Sequence, residues 1–259
     1  MDIVVPVRLV PDPVEELDPG PDGTDIDRDW IEFVSNEFAD HALEEALLIG
    51  EEREDASVTV VALDDGLGDV EEVLHRAAAK GADRLVSITG VSPGAPASEA
   101  AALLAGFLAE EDFDAVFTGV QSAEDRDGQL AGRLASALDL PHLTVITSVA
   151  VDGDTAAVEK EFGGGVTADY AVELPAVLGI QAAREPPRYV TIRQIRNAMR
   201  DADIETVDAA DLGGSVTPAT SVVGLQEPET GERAEMIDGS AEEAAGEVIE
   251  VLEDHGIRV

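Results

Sequence analysis

The stretch that decides the fold is residues 57–90, SVTVVALDDGLGDVEEVLHRAAAKGADRLVSITG. It opens on the strand-like run SVTVVAL, rich in β-branched residues, and stops at Asp64-Asp65-Gly66. GDVEEVLHRAAAKGA then reads as a helix closed by Gly81, and DRLVSITG as a further strand. One strand, one helix and one strand in about 30 residues is a crossover unit, because parallel strands need a connection of this length.

The same alternation extends in both directions. Upstream, DIVVPVRLV is strand-like, and NEFADHALEEALLIGEER carries Phe38, Leu43, Ala46 and Leu47 at the 3–4 spacing of one helical face. Downstream come the helix ASEAAALLAGFLAEED, the strand FDAVFTG and the helix GQLAGRLASALDL. The expected fold is α/β, a doubly wound and mostly parallel sheet. From Leu143 the pattern changes. HLTVITSVAVDGDTAAVEKEFGGGVTADYAVELPAVLGI alternates and turns at Asp152-Gly153-Asp154, which predicts antiparallel additions with a hairpin. The expected division is 1–200 as a nucleotide-binding domain and 201–259 as a C-terminal arm. That arm is Gly-, Pro- and Thr-rich until a last helix opening on the capping box Ser240–Glu243.

Charge narrows the function. Against 16 Lys and Arg stand 56 Asp and Glu, a formal net charge of −40. Such a surface repels nucleic acid and anionic membranes. No apolar run reaches the roughly 18–20 residues of a spanning helix, and the N-terminal stretch lacks the basic start of a signal peptide, so a cytoplasmic location is expected. Near-absence of Lys and acids spread along the whole chain point to a high-salt cytoplasm, where screening relieves self-repulsion. The chain has no Cys and four scattered His, and it carries no triad, Walker loop or dinucleotide fingerprint. An enzyme acting through its own side chains is not expected.

Ligands of doubly wound sheets bind beyond the carboxyl ends of the strands. There TGVQSAEDRDGQ places Asp125, Asp127 and Gly128 before a helix. Two readings stand: Asp as a helix cap, or a phosphate site at the helix N-terminus. Near the C-terminal end of the sheet region, five arginines (Arg184, Arg188, Arg193, Arg196 and Arg200) crowd into seventeen residues. As a helix, Ile192, Ile195 and Met199 form one stripe and the last three arginines an adjacent one. That is either a solvated basic face beside a core stripe or a docking surface for an acidic partner.

Five segments in this order resemble the electron transfer flavoprotein β subunit: SNEFADHALEEAL, TGVQSAEDRDGQ, EFGGGVTADYAVELPAVLGI, PPRYVTIRQIRNAMRDA, and ERAEMIDG with the final helix. The resemblance spans nearly the whole chain. It implies an adenine nucleotide α-hydrolase-like architecture and a non-enzymatic electron-carrier subunit. The implied partner is an α subunit that carries FAD. The pair would pass electrons from dehydrogenases such as acyl-CoA dehydrogenases to a quinone oxidoreductase, and the arm would lie on the α subunit. The β subunit would hold AMP, or a second FAD if it is of the bifurcating type; a stand-alone adenine-nucleotide-binding protein is the alternative from another class.

Carried over by residue, the nucleotide contacts fall on Pro6, Asn36, Glu37, Phe38, Ala39, Asp64, Gly119, Gln121, Ser122, Asp125, Asp127, Gly128 and Gln129. Dehydrogenase docking falls on Arg188, Tyr189, Ile192, Ile195 and Arg196, with Ile192 as the apolar anchor. The chain departs from the family pattern at Leu130, where relatives commonly place a phosphate-binding threonine, at Asp127, a position that the bifurcating branch often gives to threonine, and at Pro13, where some members carry an aromatic.

Overall fold

The computed structural model describes residues 1–257 except Trp30, Glu54, Arg126, 214–221 and 227–235. In chain order the elements are β1 (Asp2–Pro11), β2 (Phe33–Ser35), α1 (Glu37–Glu52), β3 (Ser57–Leu63), α2 (Val70–Lys80), β4 (Arg84–Thr89), α3 (Ala97–Leu108), β5 (Ala115–Gly119) and α4 (Leu130–Leu138). They continue as β6 (His142–Asp152), β7 (Thr155–Phe162), β8 (Val166–Glu173), β9 (Ala176–Ile180), α5 (Ile192–Asp201), β10 (Ile204–Asp208), a 3-10 turn (Ala209–Leu212) and α6 (Ala241–Asp254).

The strands make one sheet in the order β10-β4-β3-β1-β5-β9-β6-β7-β8, with β2 paired to β1. From β10 to β6 all neighbours are parallel. Alternate residues divide between two apolar cores, one per face. Ile3, Val5, Val60 and Phe117 pack with α1 and α2 on one side, whereas Val4, Val61, Val116 and Val177 pack with α3 and α4 on the other. Burial on both faces explains why the central strands read as continuous apolar runs. The helices end where local chemistry ends them. Asp69 accepts a hydrogen bond from Glu72 N at 2.9 Å to start α2, and Gly81 at φ 125° closes it.

Three details differ from the sequence expectation. β9, read as part of the antiparallel region, runs parallel between β5 and β6; its AVLGI run is fully buried, as a central parallel strand must be. The antiparallel part is confined to β6, β7 and β8, and its first hairpin does turn at Asp152–Thr155. β6 changes partner along its length at a bulge where Val145 has φ 67°, pairing with β9 before it and β7 after it. Finally, residues Ile204–Asp208, expected within the arm, form β10 beside β4. By compactness the chain divides into Met1–Leu225 and Gln226–Val259. In the second unit α6 starts on the predicted capping box, with Ser240 Oγ accepting from Glu243 N, and has no buried residue.

Candidate functional site

A crevice opens where the strand order reverses, between β1 and β5. On β1, Met1 O accepts from Ser57 N, on the β3 side, and Asp2 O accepts from Asp114 N, on the β5 side. Backbone groups alternate along a strand, so even-numbered residues point towards β5. Pairing with β5 covers only Ile3 and Val4, and the same edge is taken up again when Asn36 N donates to Arg8 O and β2 pairs from Leu9 onward. Between lies Pro6, which has no N–H to offer a neighbour. A proline in a central strand is tolerated here because its edge faces no strand. The ladder parts at Pro6, and the gap is the cleft.

The cleft encloses about 510 Å³, open solvent included. Of the residues expected to contact a nucleotide, Pro6, Asn36, Ala39, Gly119, Gln121, Ser122 and Asp125 line it together. They come from β1, the start of α1 and the β5–α4 loop. Asn36 precedes α1 but does not cap it; its Nδ2 donates to Gln121 O at 2.8 Å, tying two walls together. Gly119 lets α1 approach β5, since a Cβ there would lie 2.9 Å from Ala39 N and from the carbonyl carbon of Phe38. Gly128 has φ 61°, and a Cβ would meet Val120 O at 2.5 Å. Both glycines are therefore required by the path of the loop.

Other expected residues stand outside the wall. Glu37 is exposed, and Phe38 contributes its backbone against Gly119. Asp64 is committed to its own turn, with Oδ1 accepting from Gly66 N at 3.0 Å, and Leu63 lines the cleft instead. Asp127 Oδ2 accepts from Gln129 Nε2 at 3.2 Å, and Gln129 Oε1 accepts from Arg133 Nε at 2.8 Å. The capping reading of the β5–α4 loop holds for Asp125, whose carboxylate accepts from Gln129 N and Leu130 N, both at 3.0 Å. It thereby occupies two of the amides that α4 directs outward from its first turn.

The sequence reading did not single out Val7, Arg8, Ala97 and Ala100, which also line the cleft. Arg8 had a signal, being a cation in the middle of an apolar strand. Its Nη1 donates to Ala95 O at 2.6 Å and its Nη2 lies 2.8 Å from Glu124 Oε2. Glu124 Oε1 accepts from Arg28 Nη2 at 2.9 Å, and Arg28 is paired in turn with Asp25. Burial alone would lower the Arg28 pKa, but its hydrogen bonds and the charges of Asp25 and Glu124 outweigh that and raise it. This chain of charges joins the 12–32 loop to the β5–α4 loop beside the cleft.

The arginine-rich segment separates into two halves. Arg184 and Arg188 turn inward to α1. Glu45, with 0% side-chain exposure, accepts from Arg184 N at 2.9 Å, Arg184 Nε at 2.8 Å and Val149 N at 3.1 Å. Glu44 accepts from Arg188 N at 2.8 Å and from Arg188 Nε at 2.9 Å. Arg188, expected among the docking residues, is held there because its fork reaches both Glu44 and Glu51; the hydrogen bond to Glu44 is the largest of the effects that raise its pKa. The remainder faces solvent. Tyr189 is 85% and Ile192 66% exposed, Met199 and Arg196 are exposed, and Ile195 is half-buried. α5 lies against α2 without burying any residue, so its apolar stripe is not a core stripe. Among the described residues, Arg193 and Arg196 make no ion pair.

Residues 26–212 match the protein family described as the electron transfer flavoprotein domain. The chain is 34% identical over 263 residues to electron transfer flavoprotein subunit beta of Methylophilus methylotrophus, covering 98% of each chain. It is 32% identical over 266 residues to the Clostridium acetobutylicum subunit beta, covering 99% of this chain and 100% of that one. With the Mus musculus subunit beta it shares 31% over 230 residues, 87% of this chain and 88% of the other.

The chain belongs to the electron transfer flavoprotein β-subunit family. The cleft and the exposed apolar stripe of α5 are, among the described residues, left unfilled by the chain's own packing. Among the described residues, no helix is long and apolar enough to cross a membrane and no cluster of side chains could hold a metal ion.

Proposed function

We propose that this chain is the β subunit of a heterodimeric electron transfer flavoprotein, with AMP in the β1/β5 cleft and the redox-active FAD on the α subunit. The pair carries electrons from dehydrogenases, acyl-CoA dehydrogenases among them, to a quinone oxidoreductase. α5 receives the dehydrogenase, and the residues after the sheet lie on the α subunit. The chain works as a carrier subunit and not as a catalyst, in a cytoplasm of high salt.

The observation that carries the reading is the cleft itself, opened by Pro6 at the reversal of strand order and lined by residues from three separate segments. Its walls suit an adenine nucleoside. Pro6, Ala39, Leu63, Ala97 and Leu130 offer apolar faces for the base, and the Asn36 amide with the 119–122 backbone offers polar edges. For the phosphate, the Ser122 hydroxyl is a donor on the wall, whereas the Arg8 guanidinium beside it is engaged by Ala95 O and Glu124 and Asp125 holds the amides of Gln129 and Leu130. A bound AMP supplies no redox chemistry; it fills the crevice and joins its walls. Arg193, Arg196 and the exposed Ile192 support docking of an acidic partner, by short-range contact where salt screens longer-range attraction.

The test is to purify the tagged chain from a high-salt host and to identify what is released on denaturation. AMP and FAD in equal amounts with a larger second polypeptide are expected. Two FAD and no AMP would move the reading to the bifurcating type. A lone chain with nucleotide but no flavin would favour a stand-alone nucleotide-binding protein.

A further inference from the structure

Between β9 and α5 the chain has no regular structure, so its backbone polar groups need partners from elsewhere. The side chains of α1 supply them. His41 Nδ1 accepts from Ala183 N at 3.2 Å, Glu45 from Arg184 N and Glu44 from Arg188 N. Pro186 and Pro187, between them, have no N–H to satisfy. Each arginine then returns along α1 to a second carboxylate one heptad on, Arg184 to Glu52 and Arg188 to Glu51, both at or under 2.8 Å. Seven residues are about two turns, so both carboxylates of each pair share a helix face. Arg188 Nη1 also reaches Lys80 O at the end of α2, the helix against which α5 lies.

This attachment ends one residue before the exposed Tyr189. Val190 is buried, Thr191 and Gln194 form the capping box, and α5 has no buried residue of its own. At its far end α5 is tied by Ala202 and Ile204, which pack on the core, and by β10; at its near end this attachment is what sets its direction.

We propose that Glu44 and Glu45 are positioning residues for docking. By holding both the backbone amide and the guanidinium of Arg188 and Arg184, they fix the angle at which α5 presents Tyr189, Ile192 and Met199 to the electron donor. The proposal rests on α5 being the docking element. It answers why arginines crowd this segment: two root it and the others face outward.

The experiment uses the purified αβ complex with an acyl-CoA dehydrogenase as donor, and follows both steady-state turnover and amide hydrogen exchange. Glu44→Gln and Arg188→Gln are each expected to speed exchange across residues 189–201 while β1, β3 and β5 stay protected. If α5 then holds its competent direction about a tenth of the time, the apparent KM for the carrier rises about tenfold with kcat unchanged. Ile192→Glu is expected to raise KM with exchange unaltered. Unchanged exchange at 189–201 in both root variants overturns the positioning role, even if Ile192→Glu weakens docking. An unaltered KM in Ile192→Glu, with the root variants exchanging faster, instead refutes α5 as the docking element. Should Glu44→Gln fail to assemble, Arg188→Gln, altered at the more exposed end of the pair, gives the same comparison.

Discussion

Replacing Glu45 by alanine should be among the most damaging single changes in this chain, though Glu45 is an acid in a protein with dozens of them. Its carboxylate is inaccessible and accepts from Val149 N, Arg184 N and Arg184 Nε. Without it the buried Val149 amide loses its acceptor, at about 1–3 kcal/mol. Stranding the partner of a buried ion pair costs about 3–5 kcal/mol when that partner is fully enclosed. Arg184 keeps Glu52 and is 27% exposed, so this share falls to about 1 kcal/mol. Truncating the buried side-chain stem adds about 1 kcal/mol. The expected loss is about 3–5 kcal/mol, a fall in melting midpoint of roughly 6–20 °C at about 2–4 °C per kcal/mol for a chain of this size. Glu52→Ala removes the outer carboxylate from the same arginine and should cost no more than about 0.5 kcal/mol. Chemical denaturation of the full-length variants measures both. Equal losses for the two would refute the reasoning, because they would show that burial of Glu45 is not what makes the contact matter.

Gly119→Ala forces its new methyl against the α1 backbone at Phe38 and Ala39, which cannot rotate aside; a loss of about 1–3 kcal/mol and weaker AMP binding by calorimetry are expected. Raising KCl from about 0.1 M to about 1 M shortens the screening length from about 10 Å to about 3 Å, so the melting midpoint should climb throughout that range. A midpoint that is flat or falling would remove the case for salt adaptation. Burial pushes the Asp25 carboxyl upward, but its bonds with Arg28 and Ile26 N prevail and hold it below its ordinary 3.8. Its stabilising contribution is thus complete above that ordinary value and lost as pH falls through the lowered one. Asp25→Asn should narrow the gap to wild type in acid unfolding below about pH 4, where the wild-type carboxylate is protonated too.

Much of the sheet is legible because its central strands are buried on both faces and its crossover helices have one apolar side. Residues 57–90 need nothing beyond their own periodicity. β9 misleads because a five-residue apolar run carries no mark of direction; only its place between β5 and β6 makes it parallel. β10 is hidden for the opposite reason, since IETVD is a short, half-polar edge strand that local propensity does not separate from a loop. At the site, Asn36, Gly119 and Gln121 could be named from the family resemblance, but the reason for Pro6 could not. It depends on which edge of β1 an even-numbered residue faces. The inward turn of Arg184 and Arg188 was beyond local reading as well, for their carboxylates lie some 140 positions earlier.

The central place of β1 also bears on how the protein is made. The parallel neighbours of its first half are synthesised well after it, β3 beginning at Ser57 and β5 only at Ala115. At about 5–20 residues per second, roughly 6–22 s pass between the emergence of Ile3 and that of its partner Ala115. During that wait the first half of an apolar strand has one edge without a neighbour. The acidic residues that follow it, from Asp12 to Glu37, are then the nascent chain's main protection against self-association. Pro6 adds to it, since it denies a stray strand one hydrogen bond on the edge that stays open longest. The residue that parts the finished sheet thus also guards the unfinished one.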